Sequence, residues 1–429
     1  MSYLPFTINF RPTLEFGMRQ LSKSKLSLAF LAVIASANAL AVSSIEYNSG
    51  LQFNFSNPGA RSLGMGGAYL GFSDDATAAY TNPAGLTVLS QPEIALEVRA
   101  TYYTTPFVAG GSAINNTVFQ SESKSNNVNP SFFAYVLPGD GWALALYRNV
   151  ELDFENAFVK GQIPFRFGGT PAGRFIRQAA STIEAESVNY GLSGAIEVND
   201  NFSIGMSAVY TAFELAAGSL RAEDGQAVFG QTEFANTGSM TYTLGALYKF
   251  DDKLSMGAAY RRGAEFDTEI AAFDNANNSE FRQGSFNIPH QFGIGVAYRA
   301  TDNFAIGFDA HYVDYSTLSD DPLRVELDSK VEFDSAVELR LGAEYVFSDF
   351  NTPFTVRAGV WRDPDHRFAF QGTPTSEAQF VDSILFPEGD DEMHYTVGLG
   401  WAFERIQFDA GADFSDPIKT YSVSGVVRF

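Results

Sequence analysis

The sequence predicts an all-β protein: a fourteen-stranded antiparallel transmembrane β-barrel with an N-terminal hatch, or plug, inside its lumen. Three observations carry that expectation. Segments of period two recur from residue 91 to the C-terminus, and fourteen can be counted. The connections between them alternate between short and long. The chain opens on an export signal, and no later stretch approaches the ~18 consecutive apolar residues of a membrane-spanning helix.

At the N-terminus, Arg19, Lys23 and Lys25 precede the apolar run Leu26–Ile34, and small residues follow to Ala39-Leu40-Ala41. This is the order of a secretory signal peptide, so residues 1–41 are expected to be removed, with cleavage after Ala41 and Ala39 as second choice. A start at Met18 would make residues 1–17 an upstream extension. The 429 residues include no cysteine, so neither a disulfide nor a thiol-linked lipid is available. The net charge of −22 becomes about −25 once Arg11, Arg19, Lys23, Lys25 and Glu15 leave with the signal peptide. That balance, with no basic patch, excludes a nucleic-acid partner. Outward acidic loops keep a surface protein soluble and bind divalent cations only loosely.

Residues 42–90 read as the hatch and residues 91–429 as the barrel. The hatch centres on Gly59–Leu89, a stretch of small residues that nothing later repeats. Its glycines let the backbone pack tightly and take positive φ. Asp74 or Asp75 is placed to cap a short helix over Ala76–Tyr80, which Pro83 ends. A phosphate-binding loop is the alternative for such glycines, but the Gly-Lys-Ser/Thr ending is absent and no alternating strand leads in.

In the first barrel segment Ile94, Leu96, Val98, Ala100 and Tyr102 alternate with Glu93, Glu97, Arg99 and Thr101, giving one greasy and one polar face. The fourteen segments are 91–104, 129–137, 141–153, 186–198, 201–216, 238–250, 253–266, 288–300, 303–315, 334–347, 353–362, 393–404, 405–414 and 419–429. Most reach the ~9–11 residues of a tilted membrane strand, and an even number suits a single-chain outer-membrane barrel. Connections after even segments are short, such as Asn199-Asp200 and Thr301-Asp302. Those after odd segments are mostly long, such as 154–185 and 363–392. That is the periplasmic-versus-external asymmetry of such barrels. Tyrosines including Tyr102, Tyr147, Tyr248, Tyr298 and Tyr312 sit near segment ends, as interfacial girdles do. The final strand ends in Phe429, which resembles the assembly signal of outer-membrane barrels. A soluble sandwich or propeller would show shorter strands and less lopsided loops.

A plug of this size works against simple aqueous diffusion and favours solutes that cannot use water, such as apolar molecules. The stretches Gly59-Ala-Arg-Ser-Leu-Gly-Met-Gly-Gly-Ala68, Asp74-Asp75-Ala76 and Asn82-Pro83-Ala84-Gly85-Leu86 resemble the hatch signature of the FadL/TodX family of outer-membrane transporters. Ile288–Tyr298 and Arg357–Arg367 also resemble family members, so the similarity spans the mature chain. Within that signature the residues carried over are Gly59, Arg61, Gly64, Gly66, Gly67, Asp74, Asp75, Asn82, Pro83, Ala84 and Gly85. The resemblance implies a fourteen-stranded barrel, a hatch, and passive uptake of long-chain fatty acids or aromatic hydrocarbons. It also implies capture at extracellular loops and sideways release at a kink in the third strand. The variant Gly64-Met65-Gly66-Gly67 occurs too in relatives that serve as secretion-associated shuttles, which leaves a second function class open: an outer-membrane interaction protein.

Particular residues sharpen these expectations. The outward phase of the third segment reads Trp142, Leu144, Leu146, Arg148, Val150, Leu152, and an arginine facing lipid costs ~2–4 kcal/mol. A kink and lateral opening at Arg148 and Asn149 is one expectation, an arginine snorkelling at the interface the other. In the second long loop, Phe165, Arg166, Phe167, Arg174, Phe175 and Arg177 suit capture of a carboxylate-headed amphiphile, or else contact with lipopolysaccharide phosphates. Asn82, Asp74 and Asp75 are expected to hold the plug by hydrogen bonds. Asp363, Asp365, His366, Glu388, Asp390, Asp391 and Glu392 match no metal-ligand spacing, so no metal and no cofactor is expected. The histidines at 290, 311, 366 and 394 lack a serine and acid in any recognisable order, which argues against catalysis. The expected partners are a hydrophobic ligand and the outer-membrane lipid and lipopolysaccharide around a monomer.

Overall fold

A computed structural model describes residues 55–112, 117–165, 174–176, 178–223, 226–274, 279–319, 331–367 and 369–429. The signal peptide and residues 42–54 of the expected hatch lie outside the described residues. Fourteen antiparallel strands close into a barrel. They are β1 (Glu93–Ser112), β2 (Thr117–Pro138), β3 (Trp142–Lys160), β4 (Gln178–Asn199), β5 (Phe202–Glu223) and β6 (Gln226–Lys249). Two interrupted strands follow: β7 (Leu254–Arg261, then Glu265–Asp274) and β8 (Ser279–Asn287, then Gln291–Thr301). The rest are β9 (Phe304–Val313), β10 (Ala336–Phe347), β11 (Phe354–Asp363), β12 (Glu392–Ala402), β13 (Ile406–Phe414) and β14 (Ile418–Arg428). Each strand pairs with the next, and β14 returns to β1 from Glu93↔Arg428 to Tyr103↔Ile418.

The faces are inverted relative to a soluble protein. On β12, Met393, Tyr395, Val397, Leu399 and Trp401 are exposed while His394 and Thr396 are buried. An apolar outer face with a polar inner one is stable only where lipid replaces water outside. The predicted period-two segments coincide with these strands, but the outer hairpins are longer than expected. Most of 105–128, 217–237 and 267–287, read as loops, is strand in β1–β2, β5–β6 and β7–β8. Beyond the membrane neither face meets lipid, so residues such as Ser121 to Asn127 pair without the apolar alternation that marks a strand in sequence.

Paired interruptions sit in β7 and β8. Pro289 has no N–H for the ladder, and Gly263 lies so close to the Ile288 carbonyl that no Cβ fits. The strands cross the gap through Gly263 N–H to His290 Nδ1 at 3.0 Å and Ile288 N–H to the Ala264 carbonyl at 2.8 Å.

The chain from 55 to 92 fills the lumen toward the short-turn end. It holds α1 (Ala60–Gly64), α2 (Ala78–Thr81) and a 3₁₀ turn, Pro83–Val88. The helix expected over Ala76–Tyr80 is shorter, and Asp74 does not cap it. Asp75 Oδ1 instead accepts from Thr77 N–H at 2.9 Å, because the Asp74 carboxylate is drawn to two arginines. Gly66 and Gly67 turn the backbone at φ 64° and 75°, which a side chain would resist.

The wall is cut to fit the hatch. One inward glycine from each of nine successive strands, β5 to β13, faces it: Gly205, Gly245, Gly257, Gly295, Gly307, Gly342, Gly359, Gly398 and Gly411. A Cβ on any of them would stand 3.0 Å or less from a hatch atom.

Candidate functional site

The residues that resemble the family signature gather where hatch meets wall. Arg61 holds Asp74 at 2.6 Å and Glu344 at 3.0 Å. Glu344 also binds Arg357 at 2.8 Å, Arg357 reaches Asp409 at 2.7 Å, and Arg299 reaches Asp74 at 2.7 Å. Burial works against the Asp74 anion, but Arg61 and Arg299 outweigh it and hold the carboxyl below its usual range. Asn82 Nδ2 donates to the carbonyls of Leu70 (3.2 Å) and Ala246 (3.1 Å). Pro83 and Ala84 lie on Gly205, and Gly85 packs on Ser73. Gly64 meets Gly398, and Gly66 lies against β10 and β11.

Inward polar side chains satisfy backbone groups of the hatch that no helix or sheet pairs. Glu97 accepts from Gly59 N–H at 3.1 Å. Asp309 accepts from Tyr69 and Leu70 N–H at 2.7 and 2.9 Å, and Glu93 from Ala76 N–H at 3.1 Å. Ser193 Oγ donates to the Ala79 carbonyl at 2.7 Å, and Ser255 Oγ to that of Gly71 at 2.8 Å. The signature residues thus seat the plug rather than line the space above it.

That space is apolar. Inward residues of the outer half of the wall, among them Phe154, Ile183, Phe213, Leu215, Phe266 and Phe286, form one buried cluster. Phe213 stacks between Phe266 and Phe286, with ring centroids at 4.4 and 4.8 Å. The cluster is covered by the turn Tyr315–Ser319, by Val331 and Phe333, and by Phe370 and Phe386 beside α3 (Glu377–Leu385). Tyr315 stacks on His366 at 4.2 Å. Burial opposes the imidazolium, but Asp363 at 3.3 Å, a hydrogen bond to the Pro364 carbonyl and the Glu338 charge outweigh it and raise His366 to about 9.

No opening lies at Arg148 or Asn149, where one was expected. Arg148 pairs with Phe133 and Tyr190, and Asn149 with Phe132 and Asn189, so neither marks a break. Pairing to β2 ends at Phe132↔Asn149, and β3 bulges against β4 between Val150 and Leu152. The extra residue is Glu151. It reverses the facing of everything after it, so Leu152, expected outward, is buried in the lumen. Arg148 reaches across to the Pro130 carbonyl at 2.7 Å, which satisfies the charge without a kink. Beyond Asn149 side chains bridge the two strands, as in Asn129 Nδ2 to Asp153 Oδ2 at 2.7 Å and Ser123 Oγ to the Ala157 carbonyl at 2.7 Å.

Of the expected capture loop, residues 163–165 pair with 174–176, which sets the backbone of Phe165 opposite that of Arg174 and Phe175 opposite Pro164. Arg166, Phe167 and Arg177 lie outside the described residues. Asp365 and Asp391 bind Arg367 and Arg362 and accept loop N–H groups. The histidines are dispersed: His290 at the strand gap, His311 by Asp309, His366 on Tyr315, and His394 on Asp413 at 2.8 Å. Sequence reading passed over Glu151, Arg261 and Tyr80. Arg261 lies where β7 breaks, with its guanidinium 3.8 Å above the Tyr80 ring. A Gly-Pro pairing across adjacent strands, Gly263 with Pro289, was the available signal for that break.

A closed, lipid-facing barrel whose lumen is stoppered by its own N-terminal region defines a bacterial outer-membrane β-barrel of the transporter type. Residues 39–416 match the family described as outer membrane protein transport protein (OMPP1/FadL/TodX), and the chain belongs to that family. It is 24% identical to the long-chain fatty acid transport protein of Escherichia coli (strain K12), over 91% of this chain and 92% of that one. Against the protein of the same description from Salmonella typhi it is 24% identical, over 88% and 89%. Among solved structures it resembles a Pseudomonas aeruginosa FadL homologue with TM-score 0.63 and 15% identity, over 86% of this chain and 98% of that one. It also resembles the P. putida toluene transporter TodX, with TM-score 0.55 and 14% identity, over 88% and 99%. These structural likenesses concern the fold.

Proposed function

We propose that this barrel carries hydrophobic compounds such as long-chain fatty acids across the outer membrane. A ligand is captured at the external loops, passes into the apolar cluster above the hatch, and leaves sideways along the seam where β2 and β3 part. The observation that carries the reading is the contrast within one lumen: a hatch packed closely against the wall toward the periplasmic end, and a cluster of apolar side chains above it. Each CH₂ buried among such side chains contributes ~0.8 kcal/mol, so an acyl chain favours them strongly over water. The names of the fatty-acid relatives agree with this reading. Expression in a strain lacking its own fatty-acid transporter tests it: growth on oleate as sole carbon source is expected, and assembly of the barrel without such growth would refute it.

A further inference from the structure

We propose that the outer wall at the external ends of β14, β1 and β2 holds a phosphorylated glycolipid of the outer leaflet, the lipid A part of lipopolysaccharide, with Lys124 and Lys419 taking its phosphate groups. The inference concerns the lipid-facing side of the barrel and does not depend on what the lumen carries. Beyond residue 41 the sequence has six lysines. Lys249 and Lys253 flank the short β6–β7 turn, Lys160 is buried, and Lys330 lies outside the described residues. The remaining two come together on the outward face from opposite ends of the chain. Lys419 stands across from Tyr102 in the β1–β14 ladder, and Lys124 across from Thr104 in the β1–β2 ladder. Both line a single cavity of about 480 Å³, together with Tyr102, Asn126, Asp416 and Tyr421. That volume is of the size that small-molecule sites have. Lys419 has no ion pair among the described residues. Lys124 meets Glu122 at 3.0 Å, but both side chains are exposed, and such a surface pair contributes little and yields to a stronger anion.

The position along the wall selects a lipid over a free anion. The outward rows Leu96, Val98 and Tyr102 on β1 and Val423 and Tyr421 on β14 are exposed and apolar, so acyl chains lie against them. Both rows end in a tyrosine, and the two rings meet edge to face at 5.9 Å, as aromatic residues do where hydrocarbon gives way to head groups. Lys419 is the next outward residue past Tyr421, and Lys124 is level with the first outward residue past Tyr102. A lysine at that level keeps its stem along apolar surface and its ammonium among the head groups, where a phosphate meets it in a charge-assisted bond. Asp416 opposes an anion, yet it and Asn126 offer polar partners for sugar hydroxyls, which a glycolipid carries and a bare phosphate lacks. A chain of net charge −22 thus presents paired cations to the one leaflet whose lipid carries phosphorylated sugars.

Equilibrium binding of bisphosphorylated lipid A to the detergent-solubilised full chain tests this, with heat-modifiable migration on gels as the check of assembly. Lys124→Gln and Lys419→Gln should each weaken binding about fivefold, and the two together roughly twenty-fivefold. Lys124→Arg with Lys419→Arg should stay near the wild type. Lys249→Gln with Lys253→Gln, which removes the same charge at the opposite end of the barrel, should leave binding unchanged. Phosphatidylglycerol and inorganic phosphate should compete poorly. Equal affinity in wild type and the assembled Lys124→Gln, Lys419→Gln double variant would overturn the site, as would an equal loss in the Lys249→Gln, Lys253→Gln pair. Displacement of lipid A by an equal concentration of inorganic phosphate would reveal a free-anion site, and displacement by phosphatidylglycerol a general attraction for anionic lipid; either would overturn the glycolipid assignment.

Discussion

His366 shows how a single side chain reports on the cover over the apolar cluster. It is held by Asp363, the Pro364 carbonyl and the Glu338 charge, and it stacks on Tyr315. Because its folded pKa is about 9, above the ~6.5 of an unfolded histidine, the stability it adds is fully present below pH ~6.5 and is lost as pH rises through about 9. Thermal unfolding followed between pH 6 and 10 should show a falling midpoint, and His366→Gln should flatten that slope. An unchanged slope would show that the imidazolium contributes nothing. The glycine belt makes a second residue-scale prediction. Gly342→Val drives a side chain into the Met65 carbonyl, at a cost of ~1–3 kcal/mol or more, and should expose the hatch to protease. Gly425, where a Cβ would meet nothing nearer than 3.7 Å, should accept alanine with little change. None of this was visible in the sequence. The strand glycines look like ordinary breaks in a β pattern, and only the arrangement in space shows that nine of them face one plug.

Among the elements, β3 is the one whose reading needed most correction. Alternation from Trp142 to Leu146 was legible because lipid demands apolar residues at every second position. The same rule then put Leu152 outside, since a bulge adds a residue without leaving any compositional mark. Arg148 drew attention as a charge in a greasy row, yet its paired backbone and its bond to Pro130 make it an anchor beside the seam. The residue that matters there, Glu151, reads in sequence as ordinary polar filling. The seam itself is testable because the chain has no cysteine of its own. Asn129→Cys with Asp153→Cys, placed where the native side chains meet at 2.7 Å, can be bridged by oxidation or a short thiol cross-linker. Bridging should slow oleate uptake several-fold and reduction should restore it. Uptake indifferent to the bridge would place the exit elsewhere.

For the molecule as a whole, fold class, strand number and the plugged end were legible because membrane geometry imposes them: period two, tilted strands of sufficient length and lopsided connections. The apolar cluster above the hatch was not, because its members come from strands far apart in sequence, Phe154 and Phe213 with Phe266 and Phe286, and Phe154 and Phe286 fall in stretches that read as loops. The central claim is that an apolar lumen above a seated hatch moves hydrophobic solutes through the wall. Initial-rate uptake of radiolabelled oleate, in cells whose own transporter has been deleted, measures this most directly. Restored, saturable uptake on expression of this chain is the predicted result. Correctly assembled barrel in the outer membrane with uptake no faster than in cells lacking it would contradict the account.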